Sequence, residues 1–350
     1  MAYTLNQKLQ GLIPYEPGVG DYSIRLDANE SFITPPGWLQ EKLAAALADI
    51  PYNRYPDPTA GALCAAFADY YGIDPAYVTA GNGLDEVLYI LTTCFTQAGD
   101  TLVTVNPDFS MYRFYGHLGE CRLAVYEKGD SMRIDPDGLI AFCKEQGASM
   151  LLFSNPCNPT SLGLSREDVR RIVQACGCLV VLDEAYMDFS DQSLIQEAAD
   201  SDHLIVLRTC SKMLGLAGLR LGFLIAGDTI TRAFRACKSP YNVNALSQAA
   251  GETVLREKAY LDECRRRVIA SREALYAGLS PIAADQGWRL EKPETNFVFV
   301  KPHDAGAVYE GLKEYGILVR RMEDWLRITA GSEGENARLL AALTAILKEG

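Results

Sequence analysis

Lys212 lies in Cys210-Ser211-Lys212-Met213-Leu214-Gly215-Leu216-Ala217-Gly218-Leu219-Arg220, where small and apolar residues leave Arg220 as the next charge. A lysine held away from water loses its proton more readily, and the neutral amine condenses with an aldehyde to a Schiff base. A solvated surface lysine is the plain alternative, and the scarcity of neighbouring charges speaks against it. Asp183 ends the apolar run Leu179-Val180-Val181-Leu182 and is followed by Glu184-Ala185-Tyr186. It could cap a helix, hold a metal or pair with a buried cation. With His117, His203 and His303 as the only histidines, a metal set is disfavoured. A cationic ring nitrogen would suit the carboxylate, because the ion pair keeps such a ring protonated. Ser154-Asn155-Pro156-Cys157-Asn158-Pro159-Thr160 carries two Asn-Pro steps directly after Met150–Phe153. They make a rigid turn whose amides can face the crevice where open α/β sheets bind ligands. Ala80-Gly81-Asn82-Gly83-Leu84-Asp85-Glu86 runs from a glycine turn into an apolar-periodic segment. A helix starting there offers orphan N–H groups and the positive end of its dipole to an anion. Taken alone, the segment is better explained as an ordinary strand–turn–helix connection, being neither a Walker loop nor a G-x-G-x-x-G fingerprint.

Short apolar runs must carry these residues to one edge of a sheet. Strand candidates are Thr101–Val105, Ser149–Phe153, Leu179–Leu182, Leu204–Arg208 and Phe223–Ile225. They alternate with helical patterns over Pro36–Asp49, Thr59–Tyr71, Leu84–Gln97 and Ser165–Cys176. That alternation predicts an α/β fold with a mostly parallel sheet covered on both faces. From about Ala245 the texture changes to a long charged helix over Val254–Leu279, strands at Asn296–Val300 and Leu326–Thr329, and a closing helix over Glu335–Lys348. The expected organisation is an N-terminal arm over 1–35, a large domain over 36–245 and a smaller C-terminal α+β domain over 246–350.

The 350 residues exceed what one core usually supports, and 48% hydrophobic with 22% charged residues excludes a mainly disordered chain. Thirty-three Lys and Arg against 45 Asp and Glu give a net charge of −12, a field that repels phosphate backbones and disfavours nucleic acid as a partner. No stretch approaches the ~20 apolar residues of a membrane span, and Met1–Gln10 is too polar for a signal peptide. The ten cysteines are scattered, and the Cys176-x-Cys178 pair lacks the spacing of a zinc or dithiol site, so buried free thiols in a reducing cytoplasm are expected.

With the Ser211-Lys212 and Gly218-Leu219-Arg220-Leu221-Gly222-Phe223 segments as its most specific part, the chain resembles the fold-type-I pyridoxal-phosphate aminotransferases over nearly its whole length. Within them it is most similar to the histidinol-phosphate aminotransferases. The resemblance implies a mostly parallel seven-stranded sheet between helices, pyridoxal 5'-phosphate as cofactor and a homodimer. It implies that Lys212 holds the cofactor aldehyde and moves the substrate proton, and that Asp183 pairs with the pyridinium nitrogen. Asn158 and Tyr186 then bond the phenolic oxygen, and Phe109 stacks on the ring where a tyrosine is common. The cofactor phosphate falls to the N–H groups of Leu84 and Asp85, with Ser211, Arg220 and, from the partner subunit, the residue equivalent to Tyr55. Tyr15, Asn29, Arg320 and Arg327 line the substrate end, Arg327 as the fork for a carboxylate or phosphate.

Two departures sit at that end. Asn29-Glu30-Ser31-Phe32-Ile33-Thr34-Pro35-Pro36 lacks the usual Asn-Pro-aromatic-Gly after its glutamate, and the loop from Arg320 to Leu326 is short. The implied reaction is amino transfer between glutamate and imidazole-acetol phosphate, giving 2-oxoglutarate and histidinol phosphate. A threonine-phosphate decarboxylase-like enzyme and an aromatic or other amino-acid aminotransferase share the same machinery. A non-catalytic cofactor-binding protein is the alternative of another class, and the retained Lys212, Asp183, Asn158 and Arg220 argue against it.

Overall fold

The computed structural model describes residues 3–10, 12, 18 and 20–349. Strand β1 (Ile24–Leu26) and helices α1 (Gly37–Ala48) and α2 (Gly61–Tyr71) come first. An α/β succession follows: β2 (Val78–Asn82), α3 (Gly83–Cys94), β3 (Thr101–Asn106), α4 (Met111–Leu118), β4 (Arg122–Glu127) and α5 (Pro136–Gln146). It continues through β5 (Met150–Ser154), α6 (Arg166–Ala175), β6 (Leu179–Asp183), β7 (Leu204–Thr209), β8 (Leu221–Ile225) and α7 (Asp228–Cys237). Helices α8 (Ala245–Leu255) and α9 (Lys258–Gln286) lead into β9 (Arg289–Leu290), β10 (Phe297–Lys301), α10 (Ala305–Glu314), β11 (Ile317–Met322), β12 (Trp325–Thr329) and α11 (Glu333–Glu349).

The larger sheet has seven strands in the order β2-β8-β7-β6-β5-β3-β4. Strands β4, β3, β5, β6 and β7 run parallel, and β8 is antiparallel to both β7 and β2. Continuous apolar runs suit strands covered on both sides, and the period of two deals their residues to opposite cores. Leu151, Phe153, Val180 and Val206 pack on one face with Phe67 and Phe223. Met150, Leu152, Val181 and Leu207 pack on the other with Leu88 and Phe234. The smaller sheet has the order β1-β11-β12-β10-β9, and Val298, Val300, Leu326 and Ile328 pack against Leu275, Leu279, Leu339 and Leu343. Its edge strand β1 pairs with β11 in parallel, Ile24 opposite Ile317, so the N-terminal arm is built into this sheet.

Several sequence expectations need correction. The helix expected over Val254–Leu279 is two helices, broken between Leu255 and Lys258, and the second passes Pro281 to reach Gln286. Strands β2, β4 and β11 are present where the sequence pattern marked none. All ten cysteines are free; seven are buried as expected, but Cys121 is half-buried and Cys94 and Cys237 are exposed. The two exposed ones are the last residues of their helices, Cys94 of α3 and Cys237 of α7. Among the described residues no helix is long and apolar enough to cross a membrane.

Candidate active site

The parallel strands β5, β6 and β7 end at one edge of the sheet, and their registry puts Ser154 beside Asp183 and Asp183 beside Leu207. Asp183 is therefore a strand-tip carboxylate, 5% exposed. Its Oδ1 accepts the Ala185 N–H at 2.9 Å and its Oδ2 accepts the Tyr112 hydroxyl at 2.7 Å. Burial pushes this carboxyl up to about 6, while those two donors pull against the shift.

Lys212 follows β7 in a tight turn in which Gly215 N–H bonds the Lys212 carbonyl at 3.2 Å. Its Nζ donates to the Ala28 carbonyl at 3.2 Å and lies 5.8 Å from the centroid of the Tyr186 ring. Tyr186 is 4% exposed, and its hydroxyl accepts Asn29 Nδ2 at 2.8 Å. Asn29 is itself buried, with a left-handed φ of 55° and its Oδ1 taking the Thr329 hydroxyl at 3.1 Å. With one lone pair so occupied, the Tyr186 proton is directed to a different acceptor. Asn158 shows the same logic. Its Oδ1 accepts Arg327 Nη1 at 2.7 Å, which leaves Nδ2 as the donating end of the amide.

The glycine turn and the start of α3 form a cradle. Gly83 has a φ of +79°, and a Cβ on Gly222 would meet the backbone of Gly83 and Leu84 at 2.7 Å, so only bare backbone fits where β8 passes the helix start. Leu84 and Asp85 stand in the first turn, where N–H groups have no intrahelical partner. Glu86 Oε2 reaches back to the Asn82 N–H at 2.6 Å and fixes the turn. Ser211 is held by its backbone N–H bond to Thr209 Oγ1 at 3.1 Å. Arg220, at φ 51°, forms an ion pair with Asp85 at 2.9 Å, both side chains about half exposed. Gly83, Leu84, Asp85, Arg220 and Gly222 are thus brought together at the start of α3.

Phe109 sits between the end of β3 and α4, its ring edge-on to Tyr112 at 5.5 Å and 83°. Asp108 braces this loop by accepting the Ser154 N–H at 3.0 Å and the Phe109 N–H at 2.8 Å. Arg327 on β12 donates Nη2 to the Asp27 carbonyl at 2.6 Å. Arg320 on β11 is its cross-strand partner, so the two guanidinium stems leave the same face of the smaller sheet.

Tyr55 is not brought to this cluster. It is 80% exposed and stacks on Tyr241 at 4.6 Å. Tyr15 lies outside the described residues. Sequence reasoning missed Tyr112, whose signal was its place one turn beyond Phe109 in Phe109-Ser110-Met111-Tyr112. It also missed the buried cluster behind the strand tips. There Arg208 bonds Glu184 at 2.9 Å and Asp188 at 2.8 Å, with Tyr71 donating to Asp188 at 2.9 Å.

The profile of the family described as "Aminotransferase class I and II" matches residues 18–343. The histidinol-phosphate aminotransferase of Clostridium kluyveri is 37% identical over 347 residues, covering 98% of each chain. That of Clostridium novyi is 38% identical over 332 residues, 93% of this chain and 92% of its own. The crystal structure of histidinol-phosphate aminotransferase from Sinorhizobium meliloti in complex with pyridoxal-5'-phosphate superposes with a TM-score of 0.88 at 27% identity, covering 99% of this chain and 98% of that one. A lysine beyond β7, a strand-tip aspartate and a bare-backbone helix start thus occur in a chain that belongs to the class I and II aminotransferases.

Proposed function

We propose that this chain is a pyridoxal-phosphate-dependent aminotransferase that exchanges an amino group between glutamate and imidazole-acetol phosphate, yielding histidinol phosphate. The observation that carries the reading is the convergence of Lys212, Asp183 and the α3 cradle at one sheet edge, each matched to a different part of that cofactor. The Leu84 and Asp85 N–H groups, the Ser211 hydroxyl and Arg220 would hold the phosphate, with Arg220 turning from Asp85 to the anion. Asp183 would pair with the ring nitrogen, Asn158 Nδ2 and the Tyr186 hydroxyl would donate to the phenolic oxygen, and Phe109 would cover the ring. When bound, the cofactor supplies an aldehyde and an electron-withdrawing ring that stabilises negative charge at the substrate α-carbon. Lys212 is the group that accepts and returns the α-proton, and its half-buried side chain, with Nζ 5.8 Å from the Tyr186 ring, suits that task.

Arg327 and Arg320 form the anion end of the substrate site, where the flat fork of Arg327 suits both a carboxylate and a phosphate ester. Asn29 contributes by fixing Tyr186. Arg327→Lys keeps the charge but loses the fork, so KM for glutamate and for the phosphate ester both rise by roughly 10–100-fold in steady-state assays. Unchanged KM for both would remove Arg327 from the site.

The reading includes a cytoplasmic homodimer in which the partner subunit supplies the residue corresponding to Tyr55. Its support is the pair Tyr55 and Tyr241, an aromatic surface exposed to solvent among the described residues. Sedimentation should give a dimer mass, and Tyr55→Phe should weaken cofactor affinity without changing that mass. The chain divides in this account into a large unit over 36–245 and a smaller one over 246–350, with the arm 1–35 lending β1 to the latter.

The test is to incubate the protein with pyridoxal phosphate and glutamate and to follow 2-oxoglutarate. Release of 2-oxoglutarate, followed by rates with histidinol phosphate well above those with phenylalanine, is the expected result. Carbon dioxide from threonine phosphate without 2-oxoglutarate from glutamate would establish a decarboxylase instead.

A further inference from the structure

We infer that Tyr112 is a positioning residue for Asp183, its hydroxyl fixing one carboxylate oxygen so that the other edge of the group stays ionised and aimed at a cationic ring nitrogen. The inference rests on the cofactor reading above and adds a residue that the sequence did not single out. Tyr112 is 1% exposed in the first turn of α4, and its hydroxyl donates to Asp183 Oδ2 at 2.7 Å. Ala185 N–H holds Oδ1 at 2.9 Å, so donors on both oxygens stop rotation of the carboxylate. A phenol buried this deeply needs a partner for its proton, and a phenylalanine would fill the same volume without one.

The charged groups around Asp183 make the donor matter. Asp108, from the loop ahead of α4, and Asp85, from α3, both raise its proton affinity, on top of the larger effect of burial. Lys128, at the end of β4, offsets Asp108, with its Nζ bonded to the Pro107 carbonyl at 2.8 Å and Cys157 Sγ at 3.2 Å. Tyr112 and Ala185 are the groups that favour the ionised form directly. Loss of the hydroxyl leaves the Ala185 N–H as the one remaining donor of this pair and moves Asp183 towards the neutral acid, which presents no charge to a ring cation. The edge-on contact between Tyr112 and Phe109 survives in Tyr112→Phe, so this variant isolates the hydroxyl.

The experiment uses the cofactor-loaded protein. The visible absorbance of bound pyridoxal phosphate is titrated with pH, and the Kd for pyridoxal phosphate is measured, for Tyr112→Phe in wild-type and in Asp183→Asn backgrounds. A ring nitrogen without its proton withdraws electrons less, so the nitrogen of Lys212 keeps its own proton to higher pH. With Asp183 present, the titration midpoint should rise by about one pH unit and Kd by about tenfold. In the Asp183→Asn background both changes should fall within about twofold, since the charge they act through is gone. A weaker Kd with an unmoved midpoint, or equal shifts in both backgrounds, would reduce Tyr112 to a packing residue and overturn the inference. A wild-type protein without visible absorbance would overturn the cofactor reading and this inference together.

Discussion

Lys212→Ala is expected to lower turnover by a factor on the order of 10⁴ or more and to remove the visible absorbance of bound pyridoxal phosphate. Among the described residues the side chain bonds the Ala28 carbonyl, at 3.2 Å, and lies 5.8 Å from the Tyr186 ring; it is half-buried, so its truncation opens no apolar cavity and strands no charge. The fold should therefore melt within about 0.5 kcal/mol of wild type, and the loss is one of chemistry. The start of α3 is untouched by the change, so affinity for the cofactor phosphate should persist while the proposed covalent anchor is lost. Turnover within tenfold of wild type would show that another group moves the proton.

Arg208→Ala is expected to act on stability instead. Arg208 is 4% exposed and is shared by Glu184 and Asp188, with Ser193 and the Tyr71 ring completing its surroundings. Removing it leaves two buried carboxylates without their cation, a class of change that costs about 3–5 kcal/mol. Burial already raises the Glu184 carboxyl, and Arg208 pulls against that shift. Without Arg208 the folded-state proton affinity rises further above the unfolded one, so the folded protein binds more protons and the penalty grows as pH rises through that window. Denaturant unfolding should show the deficit at pH 8 and a smaller one near pH 5. Because Glu184 adjoins Asp183, cofactor affinity should fall with stability. A deficit below about 1 kcal/mol at pH 8 would mean that the cluster is solvated or relaxes freely.

The sequence made the larger sheet legible because its strands are buried on both faces and read as unbroken apolar runs, as in Leu179–Leu182. Strand β4, half-exposed along Arg122–Glu127, and β1, three residues long, lack that signature. The pairing of β1 with β11 joins residues such as Ile24 and Ile317, which no local pattern connects. The split of the long C-terminal helix was hidden because its residues remain helix formers on both sides of the break. At the site, Lys212, Asp183 and Asn158 were recognisable from their immediate neighbours. Tyr112 and Arg208 were not, since their meaning lies in partners reached across the sheet. Asn29, expected at the substrate end, bonds Tyr186, three residues beyond β6, and Thr329 on β12, contacts that no local pattern reveals. The departures after Glu30 leave side-chain selectivity to direct assay.

Borohydride reduction of the protein loaded with pyridoxal phosphate, followed by peptide mass mapping, tests the central claim most directly. One phosphopyridoxyl group per chain is expected, on the peptide containing Lys212. Label on another lysine, or none at all, would contradict it.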